Sequence, residues 1–406
     1  MTLKYRGVDM CAPETHDDPW EMYDYLREND PIYWDEHNEL WYAFRYDDIV
    51  EISKNPADFC STEGNRPHIP PDPSMLHQDG AQHVKQRGLV AKGFTPRAMR
   101  DNQEYCEKIV AELIDAFVDR GEADIVEEFA APLPSLLIAN MVGAPRDKCP
   151  TMRRWVKVMV TGGQGSQYVT DEVNDAFEEF CEHHEEMMAV RAGNPGDSDI
   201  LLKWIHAEID GERLDEDQLL FEHALLLAGG VETSRNAIAG GMEMLAEDPE
   251  QWAYLRAHVD DEAAIEAAIE EMIRWVTPFT NMFRTATRDV EIRGKTIAEG
   301  QMIGLMYSSA NRDPQIFEDP FRFDVRRDPR AEKHIAFGFG SHFCLGANLA
   351  RLELRTALRG LLRRFETVAL KPGGRREWSS SSFTRGPMHM DLVFTRTSVR
   401  APSACG

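Results

Sequence analysis

A single cysteine, Cys344, sits in a glycine-rich loop that leads directly into a segment rich in leucine, alanine and arginine. The loop, residues 337–346, reads FGFGSHFCLG, so glycines flank the cysteine on both sides. Glycine lets backbone N–H groups turn toward a neighbouring atom, and the start of a helix adds its positive dipole end. Both effects favour a thiolate, which is the form of cysteine that binds metals. The pattern therefore predicts that Cys344 is a metal ligand.

Three other interpretations of this loop are weaker. A lone cysteine is by default a buried and inert side chain, but that default does not explain the flanking glycines. A cysteine hydrolase needs a positioned base, and His342, two residues away in the same loop, is a poor candidate. The glycines at the start of the loop do not form a dinucleotide fingerprint either, because the sixth position of that motif is Phe343 instead of glycine.

Glu232 and Thr233 form a second pair that can do chemistry, an acid next to an alcohol. Such a pair can relay protons and hold water beside a bound ligand. Gly229 and Gly230 precede it, although a glycine costs about 1 kcal/mol relative to alanine inside a helix. Either the close approach of a flat ligand or close helix packing would offset this cost. For this glycine pair, the approach of a ligand is favoured. For the pair itself, the alternatives are a salt-bridged carboxylate and a hydroxyl bonded back to its own helix.

A long helix must position this pair, because apolar residues wrap most of the circumference over residues 219–245. A helix of this kind threads the middle of a large protein. Its second glycine pair, Gly240-Gly241, is better explained by close packing against a neighbouring helix. Further helices are predicted over residues 109–117, 170–191, 263–275 and 345–365, and strands over residues 31–35 and 40–45, within 282–306 and over 388–394. The predicted fold class is mainly α with a minor β region.

Composition limits the class of protein. At 406 residues the chain could hold two domains, yet no linker-like segment divides it, so residues 1–406 are expected to form one domain. Seven cysteines, an odd number without pair spacing, indicate no disulfide framework and fit a reducing cytoplasm. No stretch reaches the ~18 apolar residues of a membrane helix, so no membrane anchor is expected. The net charge of −25 disfavours nucleic acid as a partner.

The cysteine loop resembles that of the cytochrome P450 family of haem-thiolate monooxygenases, and four further motifs agree with the family in order and spacing. They are AGGVET at residues 228–233, EMIR at 271–274, ANRDP at 310–314 and LAR at 349–351. The resemblance covers nearly the whole chain and is strongest to the soluble, bacterial-type branch. It implies the P450 fold, in which haem b (iron protoporphyrin IX) lies between a long central helix and the cysteine loop with its helix.

The resemblance also implies roles for individual residues. Cys344 would be the axial iron ligand, whose electron-rich sulfur favours O–O cleavage. Thr233 would hold water beside the bound oxygen and Glu232 would exchange protons with solvent, a relay that Ser234 could share. Cofactor contacts are implied for His83, Arg87, Gly229, Arg284, Phe337, Gly338, His342, Cys344 and Gly346, of which the arginines and histidines would bind the propionates. Substrate walls are implied for Met75, Leu76, Leu225, Ala228, Gly229, Thr280, Met282 and Phe383.

Glu271 and Arg274 lie one helical turn apart, so they share a helix face and can form an ion pair. The role of this pair in the family is structural. Together with Arg327 it would lock the segment that supports the cysteine loop. We therefore expect a charge cluster that takes no part in the chemistry.

The implied function is hydroxylation of a large apolar substrate with O2 and two electrons from a ferredoxin, itself reduced by a ferredoxin reductase. The motifs at residues 65–67, 210–214 and 281–284 look most like the subgroup that hydroxylates steroid side chains. A steroid, sterol or terpenoid is therefore favoured over a branched fatty acid. A peroxide-driven peroxygenase is an alternative, but it would not need the acid–alcohol relay. A non-enzymatic haem protein that binds a gas would need neither the relay nor an electron partner.

Four arginines recur every four residues after the cysteine loop and form a basic stripe on one helix face: Arg351, Arg355, Arg359 and Arg363. On an acidic chain, such a stripe could dock an acidic ferredoxin, with charge steering the association. The alternative is a solvated face or internal pairing, for instance with Glu353.

Overall fold

A computed structural model describes residues 4–94, 96–191 and 199–397. In chain order the α-helices are α1 (Trp20–Asn29), α2 (Tyr46–Lys54), α3 (Gly80–Ala91), α4 (Pro96–Phe117), α5 (Pro132–Val142), α6 (Cys149–Gly162), α7 (Asp171–Arg191), α8 (Ile200–His206), α9 (Glu216–Glu247), α10 (Pro249–Ala257), α11 (Glu262–Val276), α12 (Tyr307–Ala310) and α13 (Ala347–Arg364). The strands are β1 (Ile32–Asp35), β2 (Leu40–Ala43), β3 (Phe59–Cys60), β4 (Glu122–Asp124), β5 (Met282–Ala286), β6 (Val290–Ile292), β7 (Lys295–Ile297), β8 (Met302–Leu305), β9 (Phe365–Leu370), β10 (Arg376–Trp378) and β11 (Pro387–Arg396). The predicted class, mainly α with a minor β region, is confirmed. Within these described ranges, no helix is both long enough and apolar enough to cross a lipid bilayer.

The strands of the described chain form three sheets. The largest has the order β1-β2-β8-β5-β3, in which β2 and β8 run parallel and the other neighbours run antiparallel. A second sheet gathers β4, β9 and β10 around β11, and β6 pairs with β7. The predicted early hairpin is present, with Tyr33 opposite Tyr42. Strand β5 carries Met282 and Arg284, so the largest sheet positions two residues of the predicted site.

Helix α9 is the predicted central helix. It begins with a capping box, in which the Asp215 carboxylate accepts the Gln218 backbone N–H at 2.8 Å and the Gln218 side chain accepts the Asp215 backbone N–H at 3.0 Å. Its second half is almost continuously buried, because α5, α6, α11 and α13 all pack against the helix. The polar capping residues therefore lie at the surface end, and the glycines and the acid–alcohol pair lie in the protein interior.

The glycines of α9 are explained by different surroundings. A Cβ atom at Gly240 would lie 2.6 Å from a side chain of α11, and one at Gly241 would also clash with α11, so this pair permits close helix packing as predicted. A Cβ at Gly230 would lie 2.7 Å from a side chain of α5. By contrast, a Cβ at Gly229 would meet no atom within 4 Å. Gly229 borders open space, so the ligand-approach explanation fits this glycine and close packing explains Gly230.

The structure contains the predicted charge cluster at the end of α11. Arg274 donates to both oxygens of Glu271, at 2.7 and 2.8 Å, and both side chains are fully buried. Arg327 donates to the same carboxylate at 3.1 Å. Arg274 also donates to the backbone oxygens of Asn311 and Pro320, at 2.8 and 3.0 Å. The cluster therefore ties α11 to the irregular segment that runs from α12 to the cysteine loop.

Candidate active site

A cavity lies between α9 and the segment that carries Cys344, and it brings together the nine residues for which cofactor contacts were predicted. Helix α3 supplies His83 and Arg87, α9 supplies Gly229, β5 supplies Arg284, and the cysteine loop supplies the others. These segments are far apart in the sequence. The family resemblance implied each residue separately, and the fold places all of them around one space.

The cysteine loop holds Cys344 at the cavity through its backbone. The Cys344 N–H donates to the Phe337 carbonyl at 2.9 Å, which closes the loop. Gly338 and Gly340 have φ angles of 71° and 76°, a left-handed conformation that other residues rarely adopt. A Cβ at Gly340 would also lie 2.5 Å from the backbone oxygen of Ser53. The glycine-rich sequence is therefore required by the path of the loop as well as by its chemistry.

The surroundings of the Cys344 sulfur suit a thiolate ligand. The thiol is exposed toward the cavity, but burial within the protein raises its pKa. The backbone N–H groups of Gly346 and Ala347 and the positive charges of Arg87 and Arg351 act in the opposite direction and lower that pKa. A metal cation bound to the sulfur would deprotonate the thiol outright. The donors are thus arranged to stabilise a thiolate once a metal ion is coordinated.

Basic and imidazole groups gather on the cavity wall next to the cysteine loop. The rings of His83 and His342 lie 4.3 Å apart between centroids, and Arg87 donates to the Phe343 carbonyl at 2.6 Å. Burial, helped by the charges of His342 and Arg87, lowers the pKa of His83 to about 4. The Nε2 atom of His83 is buried and has no partner among the described residues. An unpartnered ring nitrogen beside Arg87 and Arg284 suits a carboxylate ligand, so these residues fit the propionates of a haem.

The acid–alcohol pair is divided between two environments. Thr233 lines the cavity and donates to the Gly229 carbonyl at 2.5 Å. Glu232 does not line the cavity, because one residue along a helix rotates the side chain by about 100°. Its carboxylate forms a two-point ion pair with Arg235, one bond of which measures 3.1 Å. Both alternatives left open by the sequence, a back-bonded hydroxyl and a salt-bridged carboxylate, are therefore present in this structure.

Glu353 lines the cavity, although its charge first suggests it as a possible partner of the arginine stripe. Ser234 donates its hydroxyl to the Glu353 carboxyl, and both residues line the cavity. Burial raises the pKa of Glu353 to about 8, although the bond from Ser234 lowers it. The overlooked signal is the spacing of Glu353 from Leu349 and Leu352, which puts an acid within the apolar stripe of α13.

Five of the predicted substrate-wall residues line the cavity, namely Met75, Leu76, Leu225, Gly229 and Met282. Ala228, Thr280 and Phe383 do not line this cavity. Ala228 is rotated away from the wall by one helix position. The Thr280 hydroxyl is buried and donates to the Ser382 carbonyl at 2.8 Å. Phe383 stacks behind Phe279 at 4.6 Å between ring centroids, and Phe279 is the ring that reaches the cavity.

Other wall residues carry no motif. Phe94, Trp204, Phe279 and Tyr307 come from four separate segments and supply aromatic surface, while Glu222 of α9 supplies a carboxyl group. Trp204 is fixed by its indole N–H, which donates to the Val90 carbonyl at 2.8 Å. Local patterns do not reveal such neighbours because their proximity depends on how distant segments pack.

The basic stripe of α13 is paired internally. Its acidic partners are Asp260 just before α11, Glu262 at the start of α11 and Glu270 further along the same helix, and none of them is Glu353. The ion pairs are Arg351–Glu270 at 2.6 Å, Arg359–Glu262 at 2.8 Å, Arg363–Asp260 at 2.7 Å and a longer Arg355–Glu262 contact at 4.0 Å. The alternative of internal pairing is therefore correct. Four arginines share three carboxylates, so most of the positive charge of the stripe is compensated and the electrostatic basis for docking an acidic protein is weak.

Glu270 links α11 to the helix that follows Cys344. It accepts hydrogen bonds from Arg351 at 2.6 Å and from His334 at 3.1 Å, and it is largely buried. Burial alone would raise the pKa of Glu270. The bonds from Arg351 and His334 outweigh burial and lower this pKa from 4.5 to about 2.

We expect Glu270→Gln to reduce the loss of stability in acid. Because the folded-state pKa is depressed, the carboxylate stabilises the protein above pH 4.5, and that contribution is lost as the pH falls toward 2. By pH 3 the loss should be about 2 kcal/mol. Urea unfolding at pH 7 and pH 3 measures it, with Glu266→Gln, an exposed acid on the same helix, as control. An equal pH 7-to-3 difference in the wild type and Glu270→Gln would contradict the expectation.

Comparisons with known proteins identify the family to which a chain with this site belongs. A family model described as cytochrome P450 matches residues 135–382. A steroid C26-monooxygenase of Mycolicibacterium smegmatis is 37% identical over 377 residues, which are 92% of each chain, and one of Mycobacterium tuberculosis is 36% identical over 92% of this chain and 93% of its own. Among solved structures, cytochrome P450 CYP109Q5 from Chondromyces apiculatus has a TM-score of 0.85 at 29% identity, over 96% of this chain and 99% of that one. CYP109E1 from Bacillus megaterium, in complex with testosterone, has a TM-score of 0.82 at 29% identity, over 93% and 99%. The cysteine loop, the central helix and these matches together show that the chain belongs to the cytochrome P450 family and is a haem b monooxygenase.

Proposed function

We propose that this monooxygenase hydroxylates a steroid or a similarly large apolar molecule, using O2 and two electrons from a ferredoxin. The observation that carries the proposal is the cavity, whose wall combines Cys344 with apolar side chains such as Met75, Leu225, Phe279 and Met282. An apolar wall favours burial of an apolar substrate. The relatives named as steroid C26-monooxygenases and the neighbour that contains testosterone support the steroid class.

Haem b, bound through the Cys344 thiolate, supplies the activation of oxygen. Cys344 would hold the iron, and His83, Arg87, Arg284 and His342 would hold the propionates. Burial of a propionate next to these groups avoids the cost of an uncompensated carboxylate in an apolar cavity. The apolar wall would exclude water from the substrate and hold it beside Thr233.

Thr233 and Glu232 deliver protons to the reaction in this proposal. The Thr233 hydroxyl donates a hydrogen bond to the Gly229 carbonyl. The lone pairs of the hydroxyl oxygen are therefore free to accept a hydrogen bond from water in the cavity. Glu232 is the neighbouring acid, and 12% of its side chain is exposed. It would exchange protons with solvent when its carboxylate leaves Arg235. Ser234, bonded to Glu353, is a second hydroxyl on the same wall.

We expect Thr233→Ala to uncouple electron consumption from hydroxylation. The variant keeps the thiolate and the apolar wall, so haem content and substrate binding should be unchanged. Because a positioned proton donor typically contributes a factor of about 100 or more, product formed per NAD(P)H oxidised should fall at least ~10-fold, with hydrogen peroxide released instead. Quantifying product, peroxide and NAD(P)H together measures the effect. Thr233→Ser keeps the hydroxyl and is the control. Wild-type product per NAD(P)H oxidised in Thr233→Ala would refute the relay.

Turnover assays test the proposed function. The holoenzyme receives a steroid under three conditions: NAD(P)H with a ferredoxin reductase and a ferredoxin, peroxide alone, or neither. Hydroxylated product in the first condition supports the proposal. Product at the same rate with peroxide alone would contradict the need for a ferredoxin, and no product in any condition would show that the steroid is not the substrate.

An optical titration tests the substrate class. Steroids, terpenoids and branched fatty acids are added in turn, and the haem absorption reports a ligand that displaces water from the iron. The proposal expects the tightest binding from a steroid. Stronger binding by branched fatty acids would overturn the steroid assignment while leaving the monooxygenase chemistry intact.

A further inference from the structure

Glu222 is a buried acid on the cavity wall with no role in the chemistry described above. Only 1% of the residue is exposed. One carboxyl oxygen, Oε1, accepts the Met75 backbone N–H at 2.6 Å and the Gln86 side-chain N–H at 2.9 Å. The other oxygen, Oε2, is buried and has no partner among the described residues. Leaving such an atom unpaired is costly, so a partner in the cavity would stabilise it.

The position of Glu222 sets the kind of partner. Glu222, Leu225, Gly229 and Thr233 are spaced at three or four residues and all line the cavity, so they form one face of α9. Glu222 lies three helical turns before Thr233, a rise of about 16 Å along the axis. Thr233 belongs to the reacting end of the cavity. A ligand group that meets Glu222 is therefore remote from the carbon that reacts.

The charges around Glu222 select among polar ligand groups. Burial raises the pKa of Glu222 to about 7, and the Asp72 carboxylate adds to this effect, although the bonds from Met75 and Gln86 lower the pKa. Among the described residues that line the cavity, the arginines are Arg87 and Arg284, which belong to the propionate edge. A ligand carboxylate near Glu222 would meet negative charge and no compensating cation. A hydroxyl group can donate to the ionised form of Glu222 and can pair with its neutral form as well.

We propose that Glu222 is a substrate-recognition residue that accepts a hydrogen bond from a hydroxyl group at the end of an elongated apolar substrate, opposite to the end that is oxidised. This inference rests on the proposed function and narrows it. A sterol carries its 3-hydroxyl on the ring system and its alkyl side chain at the other end, so the side chain would be oxidised. A fatty acid, whose polar group is a carboxylate, would be disfavoured.

The test compares ligands that differ in one group. The probes are 5α-cholestan-3β-ol, 5α-cholestan-3-one and the hydrocarbon 5α-cholestane, titrated into the holoenzyme and followed by the haem absorption. Wild type should bind the alcohol about tenfold more tightly than the hydrocarbon, the usual effect of a hydrogen bond to a charged group. Equal affinity of wild type for the alcohol and the hydrocarbon would overturn the role of Glu222 and leave the steroid assignment standing.

The matched variant is Glu222→Gln. The glutamine oxygen can still accept the bonds from Met75 and Gln86, so a role limited to fixing that loop is preserved. The amide N–H group then takes the place of the unpartnered Oε2 and donates, so preference should shift by about tenfold from the alcohol toward the ketone. Glu243→Gln, another buried acid of α9 that pairs with Arg376, is the control and should bind all three probes as wild type does. An unchanged alcohol-to-ketone ratio in Glu222→Gln would overturn the proposal.

Failure of the steroid assignment can be recognised separately. If wild type binds none of the three probes, the steroid class is wrong, and 1-hexadecanol and hexadecane then replace them as the pair with and without a hydroxyl. Tighter binding of the alcohol, lost in Glu222→Gln, would support the recognition role of Glu222 for another apolar substrate. Equal binding of the two would overturn it.

Discussion

Cys344→Ser is expected to abolish both hydroxylation and the optical signature of thiolate-bound haem. Serine keeps the size of the side chain and the loop glycines, but a hydroxyl does not replace a thiolate as a soft, electron-rich iron ligand. The N–H groups of Gly346 and Ala347 would then surround an oxygen that stays protonated. Absorption of the reduced protein with carbon monoxide measures the ligand, and product analysis under NAD(P)H with redox partners measures the activity.

Cys181→Ser is the matched control for this substitution. Cys181 lies on α7, is only partly buried and does not line the cavity. Its replacement should leave the carbon monoxide spectrum and the turnover rate at the wild-type level. A Cys344→Ser protein that kept the thiolate signature would show that another cysteine binds the iron, and the assignment of Cys344 would be wrong.

Sequence patterns predicted the parts of the site whose chemistry depends on neighbours in the chain. The loop around Cys344 is one example, since its glycines and the following helix act on the sulfur locally. The apolar pattern also predicted α9 over residues 219–245, within three residues of its observed ends at Glu216 and Glu247. The charge cluster of Glu271 and Arg274 follows from their spacing on one helix turn.

Sequence patterns were less informative where the orientation of a side chain depends on packing between distant segments. Ala228 and Thr280 belong to segments that reach the cavity, yet the direction of each side chain is set by helix phase or by a bond to another loop. Glu353 lies in a helix that also carries surface arginines, so its charge suggested a surface partner. Its burial against Ser234 is visible only when α13 is packed on α9. Residue type therefore predicts what chemistry a side chain can do, and the fold decides which of these side chains reach the cavity.

The charge cluster below the cysteine loop is as important to the fold as Cys344 is to the chemistry. Glu271 receives bonds from Arg274 and Arg327 and also accepts the Asp324 backbone N–H at 2.9 Å. Burying charged groups is unfavourable unless each has a partner, and Glu271 is the shared partner of two guanidinium groups. Arg274 also donates to carbonyl oxygens of the segment after α12, so the cluster holds the segment that leads to the cysteine loop.

We therefore expect Glu271→Ala to lower the free energy of unfolding by about 3–5 kcal/mol, the usual cost of leaving a buried charge without its partner. Arg274 would lose its counter-charge and Arg327 would keep only Glu332, so the supporting segment should loosen and the yield of haem-containing protein should fall. Urea unfolding and the ratio of haem to protein absorbance measure both effects. Glu262→Ala, which removes an exposed acid of the same helix, should cost less than about 1 kcal/mol and keep the haem. A soluble Glu271→Ala protein with wild-type stability and haem content would show that the cluster does not support the cysteine loop.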